Sequence, residues 1–447
     1  MHIRKILAVL ALVAIAVAGT QGSAVTAASL AGTKCTVKGK TTISAGKTYV
    51  CTVSGKTKVW KLKTSAAPKP TPTPVPTASP MPGLTGTYLA GFNQCTLPVA
   101  DNRGDVALGL PRIYNRGKDV GTVNATVIFV DFPDVKATMS PEMAFDKISP
   151  RSSQIFSEVS YGKLNYVLNP NFHWFTMSKP STSYSFATFD GQHSYVGEAI
   201  ALADPTTDFS KTDSLIILSN PAQSALGNGP AITYRPNDGF WADGSNIHNG
   251  ATSGADLNFW GGIWLNHEIG HSFGLVDLYS ALWDTSNYDT VFKYTGNFSL
   301  MGFSSEQSNA PGLFAWERYV LGWLDDNQMM CAPDASGTYA LTPVESAGGT
   351  KALVIPINTT TNLVVESRKA IGMDAKIAKP GLLVYRVDTS LTSGYGPIQV
   401  LTNSNLVDDP RYLKAPLAVG ESVTFGKYTI TASWSSATGD VVSVTHN

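Results

Sequence analysis

The sequence WLNHEIGHSFGLVD at residues 264–277 contains two histidines, His267 and His271, four positions apart. On a helix, side chains at this spacing project from one face, so both imidazoles can bind the same ion. Glu268 stands one residue along, where its carboxylate can take a proton from a water that the metal activates. With 7 His and 9 Glu in 447 residues, a shuffled chain would contain this H-E-x-x-H pattern about 0.002 times. Chance is therefore a poor explanation, and so is a core helix whose histidines only make hydrogen bonds.

The residues that flank the two histidines predict how the helix is buried and where it ends. Apolar residues surround it at Ile263, Leu265, Ile269 and Phe273, which favours a place in a domain core. Gly274 permits the positive φ that ends a helix sharply. The chain can then turn back and offer Asp277 as a third ligand, leaving a fourth position open for water. Nitrogen and carboxylate donors with an open position favour Zn²⁺.

The motif from His267 to Tyr279 resembles that of the metzincin clan of zinc endopeptidases. Within the clan it is most similar to the immune inhibitor A family, in which an aspartate rather than a third histidine closes the motif. Other stretches similar to this family are VIFVDFPD at 127–134, FSEVSYGKL at 156–164, SLMG at 299–302, AWERYVLGWL at 315–324, VESR at 365–368 and GLLVYRVD at 381–388. The resemblance spans residues 120–390 and leaves the N-terminal part of the chain outside it.

The resemblance implies a metzincin-like zinc protease domain and a role for each residue of the motif. His267 and His271 would bind zinc, Asp277 would be the third ligand and Glu268 the general base. Met301 would form an apolar floor under the metal without bonding to it. The implied activity is that of a secreted zinc endopeptidase that hydrolyses peptide bonds of extracellular proteins.

Hydrophobic patterning predicts an α/β (α+β) body followed by a β-rich region. Val127–Val130 and Leu215–Leu218 have the continuous apolar character of buried strands, and residues 141–158 and 194–203 that of helices on a mixed sheet. The zinc helix and a helix over Ala315–Trp323 complete this body. From residue 336 the pattern alternates, and we expect a β-sandwich-like region packed on the body. Its predicted strands are Leu353–Ile357, Leu363–Glu366, Leu382–Val387, Ser422–Phe425, Tyr428–Ser433 and Val441–Thr445.

The net charge of zero hides two oppositely charged parts. Residues 1–84 contain one Arg, ten Lys and no Asp or Glu, while residues 85–447 carry the other 22 basic residues and all 33 acidic residues. The acidic part argues against nucleic acid as a partner, and the partners that the family resemblance implies are protein or peptide substrates. The basic arm, residues 1–84, can attract an anionic cell-wall polymer. A merely solubilising surface is the alternative.

The first 84 residues divide into three predicted segments. Residues 1–28 have the features of a secretory signal peptide: a positively charged N-terminal region, a short apolar run and small residues where cleavage would occur. The apolar run is too short to span a bilayer, so we expect an exported chain with no transmembrane segment after cleavage. Residues 29–64 predict a small Lys-rich β module, and residues 65–84 a Pro/Thr-rich spacer. The catalytic domain is expected at 85–335 and the β-rich region at 336–447.

Export makes disulfides permissible for the four cysteines. Cys35 and Cys51 are predicted to staple the small module, which is too short to bury much core unaided. Cys95 and Cys331 are expected to pair with each other, because four cysteines in an exported chain favour two disulfides. In the alternative, Cys95 caps the zinc of a latent enzyme, as cysteine switches do.

Two further possibilities remain open in the sequence. The oxygen-rich segments Asn237–Gly239 and Asp243–Asn246 can bind Ca²⁺ but lack the spacing of a known calcium loop, so a plain polar loop is the alternative. The chain can also be an inactive binding or adhesion protein on a protease fold, or a zinc hydrolase of cell-wall peptides. Glu268 argues against the inactive form, since a structural site would not need that carboxylate.

Overall fold

The computed structural model describes residues 33–44, 47–54, 57–62, 82–88, 92–99, 106–112, 116–303, 312–404 and 408–446. These residues belong to two compact units, one containing residues 33–62 and the other residues 82–446. The predicted signal peptide at 1–28, and the predicted spacer up to residue 81, lie outside the described residues.

The small unit is a three-stranded antiparallel sheet with the strand order β1-β2-β3. Its strands are β1 Thr41–Ser44, β2 Lys47–Ser54 and β3 Thr57–Leu62. A disulfide joins Cys35 to Cys51, and Tyr49 and Cys51 are almost fully buried. The predicted disulfide-stapled β module is therefore confirmed.

The larger unit begins with a five-stranded sheet of order β5-β4-β6-β10-β7, beside a small β8–β9 hairpin. The strands are β4 Gly121–Asp131, β5 Leu164–Thr176, β6 Ser214–Ser219, β7 Ala231–Thr233, β8 Phe240–Ala242, β9 Ser245–Ile247 and β10 Asn249–Thr252. The first four strands of the sheet are parallel, and β7 pairs antiparallel with β10 at one edge. The predicted strands at 127–130 and 215–218 are the centres of β4 and β6. The sequence prediction missed β5, whose Pro170 and half-exposed residues are tolerated because it is an edge strand.

Helices cover both faces of this sheet. The helices are α1 Pro141–Phe145, α2 Arg151–Val159, α3 Phe189–Ala203, α4 Leu257–Ser272 and α5 Ala315–Val320. Val127 and Phe129 of β4 face the core that contains α2 and α4, while Ile128 and Val130 face the core that contains α3. Alternate residues of a buried strand thus enter opposite cores, which explains its unbroken apolar sequence.

The helix predictions need two corrections. The single helix predicted over 141–158 is wrong, because the chain forms two helices that are separated around Pro150. Proline lacks the N–H that a helix interior needs and its ring clashes with the preceding turn. The helix predicted over Ala315–Trp323 ends early, at Val320, because the chain turns at Gly322 with φ +71°. The helix predicted at 194–203 is present and begins earlier, where the Thr188 side chain caps it.

Two further sheets form the C-terminal part of the larger unit, with the strand orders β11-β13-β14-β15-β16 and β12-β19-β18-β17. Their strands are β11 Met329–Cys331, β12 Gly337–Leu341, β13 Ala352–Pro356, β14 Thr361–Arg368, β15 Gly381–Asp388, β16 Ile398–Leu401, β17 Ser422–Phe425, β18 Tyr428–Ser436 and β19 Gly439–His446. All six predicted strands are present, and β11, β12 and β16 are additional. Leu363 and Val365 pack against the four-stranded sheet, while Val364 between them joins the core that contains α4. The sheet of β11, β13, β14, β15 and β16 is therefore buried on both faces.

A second disulfide joins Cys95 to Cys331. It links the segment before β4 to strand β11, and it confirms the predicted pairing. Cys95 therefore has no thiol with which to cap a metal, so the cysteine-switch alternative is wrong for this structure. Among the described residues, none of the helices combines the length and apolarity that a bilayer crossing requires. The fold is mixed α/β, rich in sheets and with few helices.

Candidate metal centre

Helix α4 carries the motif on its regular second part. Gly261, at φ +50° and ψ −126°, interrupts the helix, and a Cβ at this position would lie only 2.9 Å from the Lys147 main-chain oxygen. The residues after this interruption are helical and place His267 and His271 one turn apart. The four flanking apolar residues named in the sequence, Ile263, Leu265, Ile269 and Phe273, are all buried as predicted.

The helix ends at the predicted glycine. Gly274 has φ +93°, and its N–H donates to the His271 main-chain oxygen at 2.7 Å. The Leu275 N–H donates to the Gly270 oxygen at 2.9 Å. These bonds satisfy the last carbonyls of the helix and reverse the chain. The reversal brings Asp277 back to the histidine face of α4.

Main-chain carbonyl groups fix both imidazoles. Nδ1 of His267 lies 2.8 Å from the Leu300 oxygen, and Nδ1 of His271 lies 2.9 Å from the Leu275 oxygen. A carbonyl oxygen can only accept, so Nδ1 must carry the proton in each ring. In a neutral imidazole this leaves the Nε2 lone pair free to bind a metal.

The two Nε2 atoms converge on one carboxylate oxygen. Asp277 Oδ1 lies 3.3 Å from Nε2 of His267 and 3.1 Å from Nε2 of His271. Single ligand atoms of the three residues lie within 4.8 Å of one another, and no other group of three His, Cys, Asp or Glu side chains among the described residues has this property. The structure therefore brings together the three predicted ligands.

The donor set fits a zinc ion. Asp277 Oδ1 is buried and accepts no hydrogen bond from a described residue, so with neutral imidazoles three lone pairs point at one another. A proton on one Nε2 or a metal ion between the three atoms would satisfy this arrangement, and two nitrogens with one carboxylate oxygen are ligands that Zn²⁺ prefers. Burial acts to lower the pKa of His271, but the Asp277 carboxylate outweighs it and raises that pKa to about 9. Protons therefore compete with a metal for this site.

Glu268 lies beside the ligand group and is not part of it. Its Oε2 accepts a hydrogen bond of 2.8 Å from the Ala231 N–H of strand β7. Burial raises the pKa of Glu268, although the neighbouring histidines act in the opposite direction. A carboxylate with a raised pKa, anchored through one oxygen, is suited to accept and return a proton.

Met301 packs against helix α4 at Gly270, one residue before His271; its place beneath a bound metal stays a prediction. Its side chain is fully buried, and its sulfur occupies the space where a Cβ at Gly270 would lie. The Leu278 N–H donates to the Met301 oxygen at 2.8 Å. The turn that carries Met301 is therefore bonded to the segment that follows Asp277.

Two residues that the sequence did not single out hold this turn. Ser299 has φ +131°, a conformation that L residues rarely adopt. Its hydroxyl accepts the Met301 N–H at 3.0 Å and donates to Glu317 of α5 at 2.8 Å. Burial raises the pKa of Glu317 to about 7, although hydrogen bonds from Phe314 and Ser299 oppose this. Both residues lie in stretches that resemble the family, SLMG and AWERYVLGWL, but the sequence assigned neither a role because each acts on a partner distant in the chain.

A third missed residue is Ser393, which lies between β15 and β16. Its hydroxyl accepts the Asp277 N–H at 2.8 Å and donates to Asp277 Oδ2 at 3.1 Å. Tyr279 also lies at the site, with its ring roughly parallel to that of His267 at a centroid distance of 6.1 Å. The Asp277 carboxylate, together with burial, raises the Tyr279 pKa well above its usual value.

The other histidines among the described residues and the predicted calcium segment lie outside this cluster. Nε2 of His193 lies 2.8 Å from the Asp238 main-chain oxygen. Asp243 forms the turn of the β8–β9 hairpin and accepts the Phe209 N–H at 2.8 Å. Since the His267 group is the one cluster of its kind among the described residues, the structure adds no support for Ca²⁺, which stays a prediction.

No protein-family model matches the chain, and no curated protein is significantly similar to it. A functional conclusion therefore depends on the residues of the site and on their geometry.

Proposed function

We propose that this protein is a secreted, metzincin-type zinc endopeptidase that hydrolyses peptide bonds of extracellular proteins. The observation that carries the proposal is the convergence of His267 Nε2, His271 Nε2 and Asp277 Oδ1, with Glu268 adjacent. A binding site for metal alone would need only the three ligands.

The three ligands would hold Zn²⁺, which when bound supplies Lewis acidity and makes water a better nucleophile at neutral pH. Glu268 takes the proton of the attacking water and later delivers it to the departing amine. The Ala231 N–H holds Oε2 of this carboxylate, which leaves Oε1 for the proton. Burial of Glu268 strengthens its interaction with charge that develops nearby.

The edge strand β7 favours an extended polypeptide as substrate. It pairs with β10 on one side, and no described strand pairs with its other side. An extended peptide can add to the free part of such an edge through main-chain hydrogen bonds. At Ala231 the N–H and the oxygen are already bonded, to Glu268 and Gln192. Since Ala231 of this strand contacts Glu268, a peptide bound there would pass beside the general base.

The basic arm supports a second part of the proposal, attachment to an anionic cell-wall polymer. Five lysines of the small unit are exposed, namely Lys34, Lys38, Lys40, Lys58 and Lys61. Residues 1–84 contain no acidic side chain to neutralise them. Clustered positive charge without counter-charge attracts polyanions, and salt weakens this attraction.

The experiment that separates the candidate functions uses the purified full chain with zinc. Casein and isolated cell walls are incubated with it, each with and without a zinc chelator and in parallel with Glu268→Gln. Chelator-sensitive cleavage of casein supports the endopeptidase. Cleavage of wall peptides alone favours the wall hydrolase, and stoichiometric zinc without any cleavage favours the binding protein.

Wall attachment is tested separately by co-sedimentation with walls before and after removal of their anionic polymer. We expect binding that 0.5 M salt and polymer removal both abolish, since it is electrostatic (Debye length about 10 Å at 0.1 M salt). Replacing Lys34, Lys38 and Lys58 by Gln should reduce it. The matched control replaces the exposed body lysines Lys211, Lys414 and Lys427, and equal losses in both triple variants would contradict the proposed role of the arm.

A further inference from the structure

The loop between β15 and β16, residues 389–397, forms a clamp on the segment that carries Asp277. The Gly394 N–H donates to the Asp277 main-chain oxygen at 2.9 Å, and the Ala281 N–H donates to the Gly394 oxygen at 2.8 Å. Ser393 adds two bonds to Asp277, one to its main chain and one to its side chain. Both ends of the Asp277–Ala281 turn are thus bonded to one loop of the C-terminal sheet.

The hydroxyl of Ser393 determines which carboxylate oxygen faces the histidines. It donates its one proton to Oδ2 and accepts the Asp277 N–H with a lone pair. Oδ2 is thereby held away from the ligand group, and Oδ1 is left without a hydrogen bond between the two Nε2 atoms. This is the arrangement that a single carboxylate ligand needs.

The loop itself is fixed in place. Gly394 has φ +75°, and a Cβ at this position would lie 2.8 Å from the Ala281 Cβ, so only glycine allows so close an approach. A small cavity of about 20 Å³ lies beside the loop. It is lined by Leu391 and Ser393 of the loop and by Leu108 of the segment before β4. A cavity of this size holds about one water molecule, so the loop has little room to move.

We propose that Ser393 is a positioning residue for the metal ligand Asp277, so that the C-terminal sheet completes the metal centre. The inference rests on the proposed role of Asp277 as a ligand. Groups that hydrogen-bond to metal ligands typically change metal affinity 10- to 100-fold when they are removed. Loss of the Ser393 hydroxyl frees the Asp277 carboxylate to rotate and leaves its N–H without an acceptor.

The test measures the zinc dissociation constant of the full chain by competition with a chromophoric chelator. We expect Ser393→Ala to raise it about 10- to 100-fold and Ser393→Thr, which keeps the hydroxyl, to restore it to within about threefold. Ser390→Ala is the matched control, because Ser390 lies exposed in the same loop and bonds Asp388 instead. At saturating zinc the KM for a peptide should stay unchanged, whereas the zinc concentration for half-maximal activity should rise.

The positioning role of Ser393 can be contradicted in several ways. Unchanged zinc affinity in Ser393→Ala overturns the inference, and so does a Thr variant as weak as the Ala variant. If Ser393→Ala does not fold, Ser393→Gly also removes the hydroxyl and, unlike a cysteine thiol, adds no group that could bind zinc; wild-type zinc affinity in it overturns the inference equally. A wild-type chain that binds zinc and cleaves nothing contradicts the proposed function alone, whereas one that binds no zinc contradicts both.

Discussion

Nδ1 of His267 lies 2.8 Å from the main-chain oxygen of Leu300, and this bond connects helix α4 to the turn that carries Met301. The same turn bonds the segment after Asp277 through the Met301 oxygen. His267 and the segment that follows Asp277 are therefore both held by the short turn that carries Met301. Because main-chain groups make these bonds, few side-chain substitutions can disturb the orientation of His267.

Removal of one imidazole should abolish zinc binding. In His271→Ala the site keeps one nitrogen and one carboxylate, too few ligands for a stable zinc site. We expect less than one tenth of the wild-type zinc content after dialysis, measured by atomic absorption. His248→Ala is the control, because His248 bonds only the Asn246 main chain and should keep full zinc. Stoichiometric zinc in His271→Ala would remove this residue from the ligand set.

Replacement of the general base should separate zinc binding from catalysis. Glu268→Gln keeps an oxygen that can accept the Ala231 N–H, so the fold and the zinc content should be unchanged. The amide cannot accept the proton of water, and we expect peptide hydrolysis to fall about 10²- to 10⁴-fold or more. The rate is measured with a fluorogenic peptide at saturating zinc. Full activity in this variant would exclude Glu268 as the base.

The sequence indicated that His267, His271 and Asp277 converge, as the structure shows, because the signal for their convergence is local. His267 and His271 are set by helical spacing, and Gly274 indicates the turn that returns Asp277. The sequence predicted little of what holds them, since Ser299, Glu317 and Ser393 act through bonds between residues 18 to 116 positions apart. Long-range contacts leave no periodic pattern that a single sequence can reveal.

The same contrast applies to the fold. Buried strands such as β4 and β6 are continuous apolar runs and were predicted, whereas the edge strand β5 is half exposed and contains Pro170. The apolar periodicity continues across Pro150, so the sequence predicts one helix where the structure has two, α1 and α2. The hydrophobic pattern of the sequence therefore identified the buried strands. It did not identify a half-exposed strand at the edge of a sheet, or the proline that divides a helix in two.

A methyl group at Gly270 should disturb the metal centre through Met301. The Met301 sulfur occupies the position of the missing Cβ, so Gly270→Ala must displace it. We expect a loss of about 1–3 kcal/mol in the free energy of unfolding, as is typical of overpacking, despite the higher helix propensity of alanine. Unfolding is followed in urea by tryptophan fluorescence. In a double-mutant cycle with Met301→Ala the two losses should not add, and additive losses would show that the residues do not contact each other.

The Cys95–Cys331 disulfide should contribute substantially to stability. It closes a loop of 236 residues, and the chain-entropy model gives about 5 kcal/mol for a loop of this length. The double variant Cys95→Ser, Cys331→Ser should therefore unfold its larger unit at lower urea concentration than the wild type, whereas Cys35→Ser, Cys51→Ser, which removes the disulfide of the small unit, should leave that midpoint unchanged. Thiol labelling of the denatured, non-reduced wild type should detect no free thiol. One or two labelled thiols would contradict the pairing and revive a metal-capping role for Cys95.

The buried carboxyl group of Glu317 should make the stability of the protein pH-dependent. Burial raises its folded-state pKa to about 7 from a usual value of 4.5. The folded protein then holds this proton more tightly than the unfolded chain, so the contribution of Glu317 to the free energy of unfolding is largest below pH 4.5 and falls as the pH rises to 7. At 1.36 kcal/mol per pKa unit, the loss amounts to roughly 3 kcal/mol at most. Glu317→Gln is always neutral and can still accept bonds from Ser299 and Phe314.

The difference in unfolding free energy between Glu317→Gln and the wild type should therefore favour the variant more at pH 8 than at pH 5. Comparing the two proteins at each pH cancels the other titrating groups, among them Asp256, whose pKa burial also raises to about 7. The matched control is Asp325→Asn, because the Asp325 side chain is 67 % exposed and its removal should leave the pH dependence unchanged. A difference that is the same at both pH values would show that Glu317 is ionised throughout. The Ser299 hydroxyl would then donate to a charged carboxylate across this pH range.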